Sequence, residues 1–311
     1  MFAQKKKVLV ARPRGFCAGV SSAIEIVNRV LDRHGPPVYV RHEIVHNRHV
    51  VQDLRSRGAR FVEDLGEVPE GALLIFSAHG VSPAVREEAE RRGLRVVDAT
   101  CPLVTKVHLE ASRFADRGYD VLLIGHRGHV EVEGTLGQAP QRIQLVETVA
   151  DVAGVGVCDP ENVAVVTQTT LSVDDTKDIL EAIRHRYPAV HTPSKDDICY
   201  ATQNRQEAVK ELARNSDLVF VIGSPNSSNA NRLVEVARSQ GTQALLIESC
   251  DEVDPESLDG VATVGLTAGA STPERLVRQS VERLEGLGYA AVDELVTAEE
   301  RVTFALPPEL Q

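Results

Sequence analysis

Cys17, Cys101 and Cys199 share one local setting, in which an extended segment gives way to a helix start. The three stretches are Arg14-Gly15-Phe16-Cys17-Ala18-Gly19, Asp98-Ala99-Thr100-Cys101-Pro102 and Asp196-Asp197-Ile198-Cys199-Tyr200. They lie far apart in the chain and match neither a C-x-x-C redox motif nor a zinc ribbon. Pro102 after Cys101 marks that cysteine as an N-cap, where helix amides and the helix dipole stabilise a thiolate. A single cysteine is usually a small buried hydrophobe. Three in equivalent positions point instead to metal ligation by thiolates. Cys158 and Cys250 fall outside the repeat and read as structural. Two metal chemistries compete. Structural zinc closes with four ligands; no fourth is evident here, although His can serve. An iron–sulfur cluster on three thiolates leaves one iron open for substrate.

Other chemistry-bearing residues fall in polar loops after apolar runs. His46, His79 and His129 are the histidines. A lone His is usually solvated or satisfied within a core, but three in related loops suggest a ligand site. Ser227, Ser228, Asn229 and Ser271 occupy the corresponding loops of the last third. Hydroxyls, an amide and imidazoles beside helix starts suit phosphate oxygens. The bland reading of Ser227 and Ser228 is turn formation. Neither G-x-x-x-x-G-K-[ST] nor a strand-linked G-x-G-x-x-G is present, so the usual nucleotide motifs are missing. Glu131 and Glu133 share a side if His129-Val130-Glu131-Val132-Glu133 is extended. That makes them candidate proton donors, against the commoner reading of a solvated charge. Thr169 and Thr170 either orient a substrate hydroxyl or approach a helix cap.

These residues must be carried by a repeated scaffold. After each cysteine comes a helical apolar pattern, for example Val20, Ile24, Val27, Val30 and Leu31. A short β-rich run follows, such as Val121-Leu122-Leu123-Ile124 or Leu218-Val219-Phe220-Val221-Ile222. A second strand then ends in a polar loop and a helix start: Ser82-Pro83, Ser172-Val173 or Thr272-Pro273, read as Ser or Thr caps with Pro favoured at the first helical position. The pattern predicts an α/β protein of three similar α/β units with mainly parallel sheets around a pseudo-threefold axis, the cluster at its centre. Ligands in such sheets gather at the carboxyl ends of the strands. The expected units span 18–100, 101–198 and 199–290. A strand from 1–17 completes the third sheet, and 291–311 forms a C-terminal tail. A tandem array of independent domains is the alternative.

The chain has 311 residues, 42% hydrophobic and 25% charged, within the range of soluble globular proteins. The net charge of −11 argues against general nucleic-acid binding without excluding a local anion site. Met1-Phe2-Ala3-Gln4-Lys5-Lys6-Lys7 is basic, but the apolar run after it is too short for a signal peptide. No segment approaches membrane-span length. A cytoplasmic location is expected, and with it thiols or metal ligands rather than disulfides.

At this point the motifs resemble those of the 4-hydroxy-3-methylbut-2-enyl diphosphate reductase family. They include Pro13-Arg14-Gly15-Phe16-Cys17-Ala18-Gly19-Val20, Glu43-Ile44-Val45-His46-Asn47, Phe76-Ser77-Ala78-His79-Gly80-Val81-Ser82-Pro83 and Asp98-Ala99-Thr100-Cys101-Pro102. Thr167-Gln168-Thr169-Thr170-Leu171-Ser172, Asp196-Asp197-Ile198-Cys199-Tyr200-Ala201-Thr202, Gly223-Ser224-Pro225-Asn226-Ser227-Ser228-Asn229 and Thr267-Ala268-Gly269-Ala270-Ser271 complete the set. The resemblance spans roughly residues 8–290. Val130 departs from it, since the family more often has Pro there; this bears on loop rigidity.

The resemblance implies an oxidoreductase of isoprene biosynthesis, the last step of the non-mevalonate pathway. It implies reductive dehydroxylation of 4-hydroxy-3-methylbut-2-enyl diphosphate to isopentenyl and dimethylallyl diphosphates. It further implies one 4Fe-4S cluster (four-iron, four-sulfur) on Cys17, Cys101 and Cys199 with an open fourth iron. Glu131 would supply protons and Thr169 would orient the substrate oxygen. His46, His79, Ser227, Ser228, Asn229 and Ser271 would hold the diphosphate, with His129 lining the same pocket. Ferredoxin or flavodoxin would donate electrons, with no nucleic acid or membrane partner. The alternatives are a non-redox iron–sulfur hydro-lyase and a zinc-stabilised phosphate-ligand-binding protein.

Overall fold

The computed structural model describes residues 6–192 and 197–310. Met1–Lys5 of the basic segment, Asp196 of the third cysteine motif, and Gln311 of the expected tail lie outside the described residues.

The chain opens with strand β1 (Lys7–Arg12) and helix α1 (Ala18–His34). The elements β2 (Val38–Arg41), α2 (Arg48–Ser56), β3 (Ala59–Val62), β4 (Leu73–Phe76), α3 (Pro83–Arg91), β5 (Arg95–Asp98) and α4 (Pro102–Asp116) follow. Strands β2 to β5 form a parallel sheet in the order β3-β2-β4-β5. Every residue of the inner strand β4 is buried, which is why Leu73-Leu74-Ile75-Phe76 reads as an unbroken apolar run. Helix α1 buries Ala23, Ile26, Val27, Val30 and Leu31, the face set by its three- and four-residue spacing. Ser82 caps α3 by accepting from the Val85 amide, and Pro83 occupies the first turn.

Next come β6 (Asp120–Ile124), α5 (Val130–Leu136), β7 (Ile143–Val146), β8 (Val163–Thr167) and α6 (Val173–Arg186). Their parallel sheet runs β7-β6-β8. Ser172 caps α6 through the Asp175 amide at 3.1 Å. Among the described residues ahead of Cys199, one isolated parallel bridge is present. His191 pairs with Ala164, exchanging 2.8 Å bonds with Val163 and Val165. Cys158 donates its amide to the buried Asp120 carboxylate at 2.5 Å, tying its loop to β6.

The last part contains α7 (Tyr200–Arg214), β9 (Leu218–Ile222), α8 (Ser228–Ser239), β10 (Gln243–Ile247), β11 (Thr263–Ala268), α9 (Glu274–Gly286) and β12 (Ala291–Val296). With β1 they build a five-stranded parallel sheet ordered β10-β9-β11-β1-β12. All five residues of β9 are 0% exposed. Burying each such apolar side chain is worth about 1.5–3 kcal/mol. Residues 291–296, within the stretch read from sequence as a tail, form edge strand β12, largely exposed at Val292, Asp293, Glu294 and Val296. Thr272 does not cap α9. Pro273 is the N-cap, and the Thr272 hydroxyl instead donates to the Ile222 carbonyl at 2.9 Å.

The chain thus has the α/β architecture of three parallel sheets expected from its sequence. It divides into two compact units. The first (Met1–Ala18, His46–Val50 and Tyr200–Val302) carries the five-stranded sheet; the second (Gly19–Val45, Val51–Cys199 and Thr303–Gln311) carries the other two. Among the described residues, no helix is long and apolar enough to cross a membrane.

Candidate active site

In the second unit, the loops after β4, β6 and β8 bring several of the singled-out residues together. The His79 and His129 rings meet edge to face with centroids 6.0 Å apart. His129 is the N-cap of α5, its Nδ1 accepting from the Glu131 amide at 3.2 Å. Val130 takes the first helical position, where Pro is also tolerated, so this helix starts without it. The segment is therefore helical, not extended. Two residues apart on a helix face nearly opposite ways, so Glu131 is buried while Glu133 is exposed. That separates the two carboxylates and leaves Glu131 as the enclosed one.

Glu131 is 2% exposed. Its carboxylate accepts from the Thr169 amide at 2.6 Å and from the Thr169 hydroxyl at 3.0 Å. Burial pushes the Glu131 carboxyl up to about 7, against the pull of the Thr169 bonds, and the nearby Asp197 charge adds to the rise. Asp197 was not singled out from sequence beyond its place in the Cys199 motif. It accepts from the Thr167 amide at 3.0 Å and pairs with Lys106 at 2.9 Å. Burial outweighs that partner and lifts it to about 6. Gln168, also unassigned from sequence, is buried; it accepts from the His126 amide and donates to the Thr170 hydroxyl, both at 3.0 Å. Its amide braces the loop after β6 against the loop after β8. His108 lies under this region, and burial lowers it to about 4. Gly80, at φ +76°, leaves no room for a Cβ, which would meet the His108 ring at 2.7 Å.

In the first unit, α8 starts beneath the loop after β9. Ser227 is its N-cap, accepting from the Ala230 amide at 3.3 Å. Ser228 and Asn229 follow in the first turn. Asn229 is 4% exposed, and neither atom of its amide has a hydrogen-bond partner. A buried amide without partners is costly, and at a helix N-terminus it suits an anion. The Ser271 hydroxyl donates to the His46 carbonyl at 2.8 Å, and Asn226 approaches His46 Nδ1 at 3.4 Å. Four of the expected anion ligands, His46, Ser227, Asn229 and Ser271, thus lie on linked loops of one unit, with Ser228 beside them.

The three cysteines repeat one tether. The Cys17 amide donates to Ala270 in the loop after β11 at 3.2 Å. The Cys101 amide donates to Ala78 after β4, and the Cys199 amide to Thr169 after β8, both at 3.0 Å. Each precedes a helix directly: α1, α4 and α7. None of the five cysteines is in a disulfide. Cys158 and Cys250 lack this tether-and-helix setting, Cys250 opening only a three-residue 3-10 turn. Soft thiolates in three equivalent settings are the donor set an iron–sulfur cluster takes. Among the described residues, no three or more His, Cys, Asp or Glu side chains are grouped to hold a single metal ion.

Residues 8–285 match the LytB protein family. The chain is 59% identical over 309 residues to the 4-hydroxy-3-methylbut-2-enyl diphosphate reductase of Chromohalobacter salexigens, with 98% of each chain covered. It is 60% identical over 309 residues to the protein of the same name from Xanthomonas axonopodis pv. citri, again with 98% of each covered. It superposes on the E-1-hydroxy-2-methyl-but-2-enyl-4-diphosphate reductase of Plasmodium falciparum with a TM-score of 0.95 and 41% identity, covering 98% of this chain and 97% of that one. A second solved structure, of (E)-4-hydroxy-3-methyl-but-2-enyl diphosphate reductase, the terminal enzyme of the non-mevalonate pathway, aligns with a TM-score of 0.64 and 33% identity, covering 90% and 99%.

Proposed function

Because the chain belongs to the LytB family, we propose that it reductively dehydroxylates 4-hydroxy-3-methylbut-2-enyl diphosphate. Two electrons and two protons remove the hydroxyl as water and leave isopentenyl and dimethylallyl diphosphates. The observation that carries the reading is the buried Glu131 carboxyl, raised to about 7 and gripped twice by Thr169. A carboxyl of that kind holds a proton near neutrality in an enclosed site, as a general acid must.

In this reading Cys17, Cys101 and Cys199 hold one 4Fe-4S cluster. When bound, it supplies electrons one at a time and, at an iron without a protein thiolate, Lewis acidity towards the departing oxygen. The protein's own side chains do the rest. Glu131 gives the proton that turns a poor leaving group into water, and Thr169 orients both Glu131 and the substrate hydroxyl. Asn229, Ser227, Ser228, Ser271 and His46 hold the diphosphate at the positive end of α8. In this reading His79 is a further diphosphate ligand, with His129 beside it at 6.0 Å between ring centroids. A ferredoxin or flavodoxin delivers the electrons, and the enzyme works in the cytoplasm.

The test is anaerobic turnover with a chemical reductant, with both products quantified alongside iron and sulfide content. Product formation that requires reductant and cluster supports the reading. Turnover without any reductant would instead favour a hydro-lyase, and zinc without sulfide a ligand-binding protein.

A further inference from the structure

The segment beyond the last strand has no part in the chemistry above, yet its Glu300 is tied to the Cys17 loop. The connection runs through Arg205 on α7, whose side chain is 0% exposed. Its guanidinium has five N–H donors, and five bonds use them. Nε and Nη2 donate to the Gly15 carbonyl at 3.2 and 2.6 Å. Nη1 donates to the Ala201 carbonyl and to Glu300 Oε1, each at 2.9 Å, and Nη2 reaches Glu300 Oε2 at 3.3 Å. Asn204 adds a further bond to Glu300 Oε1 at 3.1 Å. Arg205 belongs to the buried stripe Ala201, Arg205, Ala208, Val209 and Leu212. An arginine inside an apolar stripe was the signal available in the sequence.

What the guanidinium grips is the peptide two residues before Cys17. Gly15 has φ +61°, and a Cβ there would meet the Thr272 carbonyl at 3.0 Å. Its N–H and that of Cys17 are held by Ala268 and Ala270, each at 3.2 Å. The Gly15 carbonyl is held by Arg205 from the other side. On α7, Tyr200 accepts from the Ala18 amide at 3.3 Å, bracing the loop just beyond the cysteine. Glu300 neutralises a cation that would otherwise be buried without a counter-charge, a strongly unfavourable state.

We propose that Arg205, fixed by Glu300, is the positioning residue that sets the Cys17 loop for cluster binding. The proposal rests on the reading that Cys17 holds a cluster. A bidentate fork on one carbonyl fixes orientation as well as position, which a lysine ammonium does not. Supporting groups of this kind typically change metal affinity about 10–100-fold.

The test uses full-length R205K, R205M and E300Q, with C17S as the control for the underlying reading. After anaerobic reconstitution, iron and sulfide per chain are measured, then the rate of cluster bleaching in air and the reduced paramagnetic spectrum. Melting of the cluster-free proteins checks that the fold persists. The expected result is about tenfold or more faster bleaching and an altered spectrum in R205M. R205K should not restore the wild-type values, and E300Q should fall between R205M and wild type. If R205M and R205K fail to fold, E300Q decides alone. Wild-type content, bleaching and spectrum in every folded variant, with C17S depleted, would overturn the proposal. Full rescue by R205K would also overturn it, by reducing the effect to charge. A C17S protein that keeps its full cluster would overturn the underlying reading instead.

Discussion

Thr169 grips Glu131 with both its amide and its hydroxyl, one on each carboxylate oxygen, at 2.6 and 3.0 Å. The bonds favour the ionised form, burial favours the acid, and burial wins, raising the carboxyl to about 7. The proton-bearing form therefore dominates below about pH 7 and is lost as pH rises through it. Turnover of the substrate-bound enzyme should fall along that limb. Glu131→Gln should flatten the limb and slow the reaction about 10²–10⁴-fold, with cluster content retained. Anaerobic rates from pH 5.5 to 9, normalised to iron, check both effects; an unchanged profile in the variant would remove Glu131 from the mechanism.

Thr169→Ala removes the hydroxyl bond and keeps the amide bond. That bond stabilises the carboxylate, so its loss raises the Glu131 carboxyl further. The descending limb should move to higher pH while the maximal rate falls. A shift to lower pH would mean that another group controls the limb.

The same shift has a stability consequence. Between the ordinary carboxylate value and about 7, the folded chain holds a proton at Glu131 that the unfolded chain has released. The linkage relation then has stability falling as pH rises across that window. Glu131→Gln cannot ionise, so its stability relative to wild type should climb across the window and level off above it. The gain should reach about 3 kcal/mol at most. Urea unfolding at pH 5 and pH 8, on proteins of matched iron content, measures it.

Replacing Cys17, Cys101 or Cys199 with Ser should strip most of the iron and sulfide, because a hydroxyl is a hard and weakly acidic ligand. Cys158→Ser should spare the cluster. Its structural contribution is an amide bond to Asp120 that serine keeps. Cys250→Ser should spare it too. Iron and sulfide assays on all five variants decide this, and full occupancy in the first three would end the three-thiolate reading.

Asn229→Ala tests the anion site. The buried Asn229 amide has neither atom partnered, and a hydrogen bond to a charged group is worth about 1.5–3 kcal/mol. The variant should bind the diphosphate substrate about 10–100-fold more weakly. The parent alcohol, already a weak ligand, should change little. Calorimetry with both compounds separates this outcome from a general loss of fold, which would affect the two alike.

Much of the scaffold was readable from sequence because its signals are local. Ser82-Pro83 and Ser172 mark helix starts by capping chemistry, and β4, β6 and β9 are continuous apolar runs because both faces are covered. Where several local solutions compete, the reading fails. Val130-Glu131-Val132-Glu133 alternates as a strand would, yet a seven-residue helix starts at His129, and four residues are too few for periodicity to decide. Thr272-Pro273 has the appearance of a cap, but the threonine hydroxyl is taken by a carbonyl on β9. Strand β12 has little apolar pattern because it is an exposed edge. Glu131 was legible as a candidate acid from type and spacing, whereas its grip by Thr169 and its neighbour Asp197 depend on contacts distant in sequence.

Strand β1, which leads to Cys17, pairs on one side with Thr263–Leu266 and on the other with Ala291–Val296. A ribosome releases these partners only long after β1 itself has emerged. The loops that carry Cys101 and Cys199 find their tethers much earlier, within tens of residues. Chains fold from the N-terminus as they emerge, and distant pairings form last. The first cysteine to be synthesised is therefore the last to be seated. The Cys17 tether to Ala270 spans far more of the chain than the tethers of Cys101 to Ala78 and of Cys199 to Thr169.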